Sequence, residues 1–230
     1  MTGESLSVKI NIMPSKNTIK TYVEGGYYHI YNRGVDKREI FLDKQDCSVF
    51  LHYLKFYLSP IEKALCNTPF KFRPKLQQLN LSKEIDLLSF CIMPNHFHLQ
   101  IKQHTKSGME RLTRRLLTAY VQYFNFKNKR KGVLFEGTYK AKLIEDDDQL
   151  LYLSSYIHRN PFKIKNPKFD FVEFSSYPYY LGFKKVDWVK PDEILSFFKS
   201  KKNALSYKNF VEEHDPKNIL NEVIIEEDYA

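Results

Sequence analysis

The sequence predicts an α+β fold, a ferredoxin-like antiparallel sheet with helices packed on one face in the split βαβ plan. Three observations predict it. Patterned segments run strand, helix, strand, strand, helix, strand, helix. The two middle strand-like runs, 85–92 and 96–102, are separated only by Met93-Pro94-Asn95, which suits a hairpin. The helical segments carry apolar residues at three-to-four spacing, so each has one face to bury.

Each element has its own justification. Residues 1–20 are polar and patternless and read as a loose arm. Residues 22–31, rich in aromatics, read as the first strand, closed by a turn at Asn32-Arg33-Gly34. Residues 46–58 place Val49, Phe50, Tyr53, Leu54 and Tyr57 on one helical stripe. The basic, proline-containing stretch 67–80 reads as a loop. Residues 108–126 form a long helix with Leu112, Leu116, Ala119, Tyr120 and Tyr123 as its apolar stripe. Residues 134–144 return to strand character. Asp146-Asp147-Asp148 favours a helix N-terminus, and the helix over 149–159 stops at Asn160-Pro161. Beyond 163 the pattern loosens. Phe174-Ser175-Ser176-Tyr177 and Trp188 are packing anchors, 191–198 and 204–213 are short helices, and 226–230 is an acidic tail. This divides the chain into an arm (1–20), a catalytic domain (21–165) and a partly helical extension (166–230).

Composition narrows the function. The 230 residues are 43% hydrophobic with only 8 Gly and 10 Pro, enough for a sizeable core and unlike a disordered chain. Net charge is +9, and 16 Tyr and 18 Phe raise the aromatic share to 15%, which suits a polyanion whose bases stack. Three cysteines, Cys47, Cys66 and Cys91, are odd in number and not in metal-type pairs, as expected of thiols in a reducing compartment. No apolar run approaches the roughly 18 residues of a membrane helix, and the first 20 residues lack a secretory pattern. A cytoplasmic protein with no membrane partner is expected.

The chemistry concentrates in two places. His96-Phe97-His98 lies on a strand, where i and i+2 share a face, so two imidazoles leave one surface together. On the last main helix, Tyr156 and Asn160 are four apart and share a face. An amide oxygen ligates hard cations, and a phenol beside a metal-bound phosphate is a nucleophile. Tyr152, Tyr120 and Tyr123 compete for that role; the latter two sit in a helical core stripe. His158 falls roughly 200° around the helix from Tyr156 and faces away, as a structural or DNA-facing residue. His29, in the first strand, is only a minor candidate for lining the site, whereas His52, His104 and His214 carry no signal. Arg111, Arg114, Arg115, Lys127, Lys129, Arg130 and Lys131 cluster with few acids between them and read as a phosphate-contacting surface. Lys140 and Lys142 alternate along a strand, and they and Arg33 are further candidates for the DNA backbone.

At this point the chain resembles a family. Pro94-Asn-His-Phe-His-Leu99 and Tyr156-Ile-His-Arg-Asn-Pro161 are similar to the motifs of the HUH single-tyrosine transposases, the REP-associated and related insertion-sequence group. Tyr28-His-Ile-Tyr-Asn-Arg-Gly34, Gly132-Val-Leu-Phe-Glu-Gly-Thr-Tyr-Lys140 and Phe174-Ser-Ser-Tyr-Pro-Tyr-Tyr-Leu-Gly182 also look like segments of that group. Five segments in order, over roughly Tyr22 to Gly182, make the resemblance specific. It implies a ferredoxin-like domain with the histidine motif on a central strand and the tyrosine on a C-terminal helix. It further implies a divalent metal, Mg²⁺ or Mn²⁺, and a single-stranded DNA substrate with hairpin or palindromic structure. Carried over, His96, His98 and Asn160 match metal ligands and Tyr156 the nucleophile that forms a 5′-phosphotyrosine. No phosphate-binding loop of the ATPase type is present, as expected where the covalent link conserves the phosphodiester energy. Two other readings stay open: an inactive or domesticated relative that binds structured single-stranded DNA, and a replication-initiator or relaxase-type nuclease. Monomer and homodimer are both compatible.

Overall fold

The computed structural model describes residues 22–66, 69–164, 169–198 and 203–213. The expected arm over 1–20, His214 and the acidic tail lie outside the described residues. Four strands form one sheet: β1 (Tyr27–Arg33), β2 (Ile85–Met93), β3 (His96–Gln103) and β4 (Lys140–Ile144). Their spatial order is β2-β3-β1-β4 and every pairing is antiparallel. Helix α1 (Lys44–Leu58) connects β1 to β2, and α4 (Gly108–Lys127) connects β3 to β4. Two short helices, α2 (Ile61–Cys66) and α3 (Arg73–Leu79), follow α1. Helix α5 (Asp147–Arg159) follows β4, and α6 (Tyr177–Tyr180), α7 (Asp192–Leu195) and α8 (Asn203–Glu213) complete the described residues.

Strand alternation sorts side chains into two layers. Tyr28 and Ile30 of β1, Leu87, Phe90 and Ile92 of β2, and Phe97, Leu99 and Ile101 of β3 share one apolar cluster. That cluster includes Phe50 and Leu54 of α1 and Leu112, Leu116 and Tyr120 of α4. Leu88, Cys91 and Met93 join the other cluster, with Leu150, Leu153, Tyr156 and Ile157 of α5. The two crossover helices therefore share one face as expected, while α5 lies on the other. Helix α5 thus makes a third layer that buries the second face, leaving His98 and Gln100 wholly covered.

Local chemistry sets the boundaries. Asp43 caps α1 by accepting from the Asp46 amide (3.0 Å), and Asp146 caps α5 by accepting from that of Gln149 (2.7 Å). Strand β1 begins later than the aromatic run, after the Gly25-Gly26 turn, and continues through Asn32 and Arg33, which pair with β3. Gly34 follows because a Cβ there would lie 2.3 Å from the Arg38 carbonyl oxygen. Within the expected loop 67–80, residues Arg73–Leu79 are helical; Pro74 stands in the first turn, where its missing amide has no helical partner to lose. Strand β4 is shorter than 134–144 because Gly137 adopts a φ of 68°. Leu87 pairs with Ile101 and Ser89 with Gln100, so Leu88 is a β-bulge.

The described part of the extension packs onto the sheet and α5. Ser175 bridges Cys91, the Lys190 amide donates to the Leu87 carbonyl (2.8 Å), and Trp188 stacks on Phe90. Tyr177, Tyr180, Ile194, Tyr207 and Val211 share the cluster that holds α5.

Candidate active site

The candidate site lies on the α5 side of the sheet. Because β1 and β3 are antiparallel, Arg33 sits opposite His96, Tyr31 opposite His98 and His29 opposite Gln100. Paired residues share a face. His29, Tyr31, His96, His98 and Gln100 thus form a contiguous polar patch in the middle of the sheet. His98 and His29 are fully buried, and their rings meet through a 2.8 Å hydrogen bond between His98 Nδ1 and His29 Nε2. His96, 9% exposed, is the most accessible of the three histidines. Its Nδ1 is 2.6 Å from the Asn95 side-chain oxygen, and its ring lies edge-on to that of His98 at 4.9 Å.

Gln100 fixes α5 over this patch. It accepts from the Ser89 hydroxyl (2.7 Å) and donates to the Leu150 carbonyl in the first half of α5 (2.7 Å). Tyr156, further along the same helix, then places its ring edge-on to His98 at 5.6 Å and to His29 at 6.4 Å. Tyr156 is only 2% exposed. Asn160, at the end of α5, is buried, and its side-chain nitrogen meets no hydrogen-bond partner among the described residues. The same is true of His98 Nε2. Burial, then His96 and His29, push the His98 imidazole well below its ordinary pKa, so the ring is neutral at pH 7. Among the described residues, no group of three His, Cys, Asp or Glu side chains is arranged to hold a metal. A cation at this patch would therefore combine imidazole nitrogen with amide or phosphate oxygen.

His158 faces away from the histidine patch, as its spacing predicts. It is fully buried, which rules out a DNA-facing role, and it joins Tyr207 (2.7 Å) and Ser176 (2.6 Å). Burial lowers its pKa to about 3. Tyr120 and Tyr123 are structural: their hydroxyls donate to the Ile40 carbonyl and to Asp46. Tyr152 packs against Phe210.

The candidate DNA-binding residues divide between the layers. Lys140 pairs with Tyr31 and Lys142 with His29, so both lysines and Arg33 share the face of the histidines. Arg33 also forms an ion pair with Glu136 (2.9 Å). Helix α4 packs on the opposite face, and many of its cations make internal bonds. Arg111 pairs with Glu84, Arg115 donates to the Leu79 carbonyl, and Lys127 bridges Asp43 and Asp46. Arg130 donates to Asn125 and to the Val133 carbonyl. Arg114, Lys129 and Lys131 are exposed.

Sequence reasoning passed over Tyr31, Gln100 and Asn95. The signal was present: period-two alternation through Tyr27-Tyr-His-Ile-Tyr-Asn-Arg33 puts Tyr27, His29, Tyr31 and Arg33 on one face.

Residues 61–160 match the family model described as IS200-like transposase. The match spans α2 through the end of α5, and so contains both histidines, Tyr156 and Asn160. The match covers 100 of the 230 residues, and over them the chain is similar to IS200-like transposases. A solved structure of a REP-associated tyrosine transposase bound to a REP hairpin aligns over 76% of this chain and 92% of that chain, at 15% identity and a TM-score of 0.44. No curated protein matches. Among the described residues, no helix is long and apolar enough to cross a membrane.

Proposed function

We propose that the protein is a metal-dependent endonuclease and strand transferase for single-stranded DNA, cleaving hairpin-bearing substrates through Tyr156. The observation that carries this reading is the placement of α5: the Tyr156 ring lies 5.6 Å from that of His98, so a phenol and two neighbouring imidazoles share one patch. His96, His98 and Asn160 would hold the metal, Mg²⁺ or Mn²⁺. Their fit rests on His98 Nε2, a buried lone-pair position with no other partner among the described residues. When bound, the metal neutralises charge building on the phosphate oxygens.

The residues of the chain do the rest. Tyr156 Oη loses its proton and forms a bond to phosphorus in line with the departing oxygen, the P–O3′ bond breaks, and the released 3′-oxygen takes up a proton. Attack by another 3′-hydroxyl reverses the step and joins strands, with no nucleotide cofactor. Tyr156 is 2% exposed, so a phosphodiester reaches it only after the residues over it move apart. Lys140, Lys142 and Arg33 supply positive charge on the same face of the sheet. Lys129 and Lys131 add exposed charge beyond the end of α4. A DNA-acting role of this kind belongs in the cytoplasm.

The test is covalent capture. Incubated with labelled hairpin oligonucleotides and Mn²⁺, the protein forms an adduct that survives a denaturing gel, and Tyr156→Phe forms none while binding the same DNA. A normal adduct yield from Tyr156→Phe rejects the assignment of the nucleophile. A relative that only binds folded DNA gives no adduct with either protein.

A further inference from the structure

Both candidate ligand histidines have one ring nitrogen already engaged, and it is Nδ1 in each. At His96 the partner is Asn95 Oδ1, 2.6 Å away. The Asn95 amide nitrogen points to the Lys37 carbonyl (3.3 Å), so the oxygen faces His96 and can only accept. His96 therefore carries a proton on Nδ1. At His98 the partner is His29 Nε2, 2.8 Å away, with both rings fully buried. One of these two nitrogens donates and the other accepts. His98 Nε2 is enclosed and has no hydrogen-bond partner among the described residues. A proton placed there would be a buried donor with nothing to receive it, which is costly.

We propose that His29 is the positioning residue for His98: its Nε2 accepts the His98 Nδ1 proton, fixes the tautomer and ring orientation, and leaves the Nε2 lone pair for the metal. Asn95 does the same for His96, so two unlike acceptors prepare two like ligands. His29 is then not itself a ligand through Nε2, because that nitrogen is taken. Outer partners of this kind orient ligand histidines in metal sites generally, and their loss weakens metal binding by about 10–100-fold. The inference rests on the reading of His98 as a metal ligand.

The experiment separates the two. Mn²⁺ binding to the full-length protein is measured by titration calorimetry and electron paramagnetic resonance for wild type, His29→Phe, His29→Gln and His98→Ala. His29→Phe removes the acceptor, whereas His29→Gln keeps one at similar reach. The expected result is a loss of about 10–100-fold for His29→Phe, with His29→Gln within about threefold of wild type. Nitrogen-15 spectra of the wild-type histidines supply a readout that needs no variant: the His98 proton resides on Nδ1. Unchanged Mn²⁺ affinity in His29→Phe, with affinity lost in His98→Ala, overturns the positioning role and leaves the metal reading intact. Unchanged affinity in His98→Ala overturns the metal reading and this inference with it. A His98 proton on Nε2 overturns the inference directly.

Discussion

The two faces of the sheet are built from the same strands and carry opposite chemistry. On one, Phe97, Leu99 and Ile101 of β3 pack with α1 and α4 in a cluster of aliphatic and aromatic side chains. Burial there is favourable on transfer grounds alone, at about 1.5–3 kcal/mol for each large side chain. On the other, His98 and Gln100 of the same strand are equally buried, beside His29 and Ser89. These groups cost desolvation unless bonded. Bonds within the patch join Ser89 to Gln100, Gln100 to α5, and His98 to His29, and leave His98 Nε2 unsatisfied. One face is what folding alone would select. The other also packs an apolar cluster with α5 but buries a polar patch beside it, and such a patch is where a site is expected.

Substitutions at adjacent positions of β3 separate the two most sharply. His98→Ala is expected to lower metal-dependent nicking by about 100-fold or more, measured on a labelled hairpin. Phe97→Ala, one residue earlier and facing the other layer, is expected to lose about 3–5 kcal/mol of stability in a urea titration, with the chemistry of the surviving folded fraction retained. Equal stability losses with equal activity would erase the distinction between the faces.

Gln100 lies between the two roles. Gln100→Leu strands the Ser89 hydroxyl, removes the side-chain bond to the Leu150 carbonyl, and is expected to cost about 1–3 kcal/mol. Because this bond holds α5 over β3, the same variant should lower adduct formation more than it lowers DNA binding. Adduct yield unchanged in Gln100→Leu would show that α5 is placed by its apolar contacts alone.

Electrostatics give smaller effects. Lys142→Gln, on the histidine face, is expected to weaken DNA binding and to reduce the dependence of log affinity on log salt by about one. Arg114→Gln, exposed on the far layer and paired with Glu110, is expected to leave both unchanged. Equal losses would mean that DNA also wraps the α4 layer.

A separate effect appears only in acid. His158 is neutral in the fold and held at a pKa of about 3 by burial. The unfolded chain takes up that proton near pH 6.5, the ordinary histidine value. The unfolded state then binds more protons, so stability declines as pH falls from about 6.5 toward about 3. His158→Phe should flatten that part of the decline in a melting series.

Much of this was legible in the sequence, and the exceptions have physical causes. Alternation placed His96 and His98 on one face, and helical spacing placed Tyr156 and Asn160 together with His158 turned away. The layer of α5 was not legible, because a helix with one apolar stripe fits either face of a sheet. The cations of α4 read as one basic surface because a sequence does not show that Glu84, Asp43 and Asp46 come from distant segments to pair with them. The bond from His29 to His98 joins residues 69 apart in the chain and depends on strand register, which spacing alone does not fix.

The central claim is that the buried polar face presents Tyr156 to a phosphodiester. The most direct measurement is to trap the adduct on a hairpin oligonucleotide, digest it, and locate the nucleotide-bearing peptide by mass spectrometry. The account predicts a phosphodiester on Tyr156. Nucleotide attached to Tyr152, Tyr31 or any other residue, with Tyr156 unmodified, would contradict it.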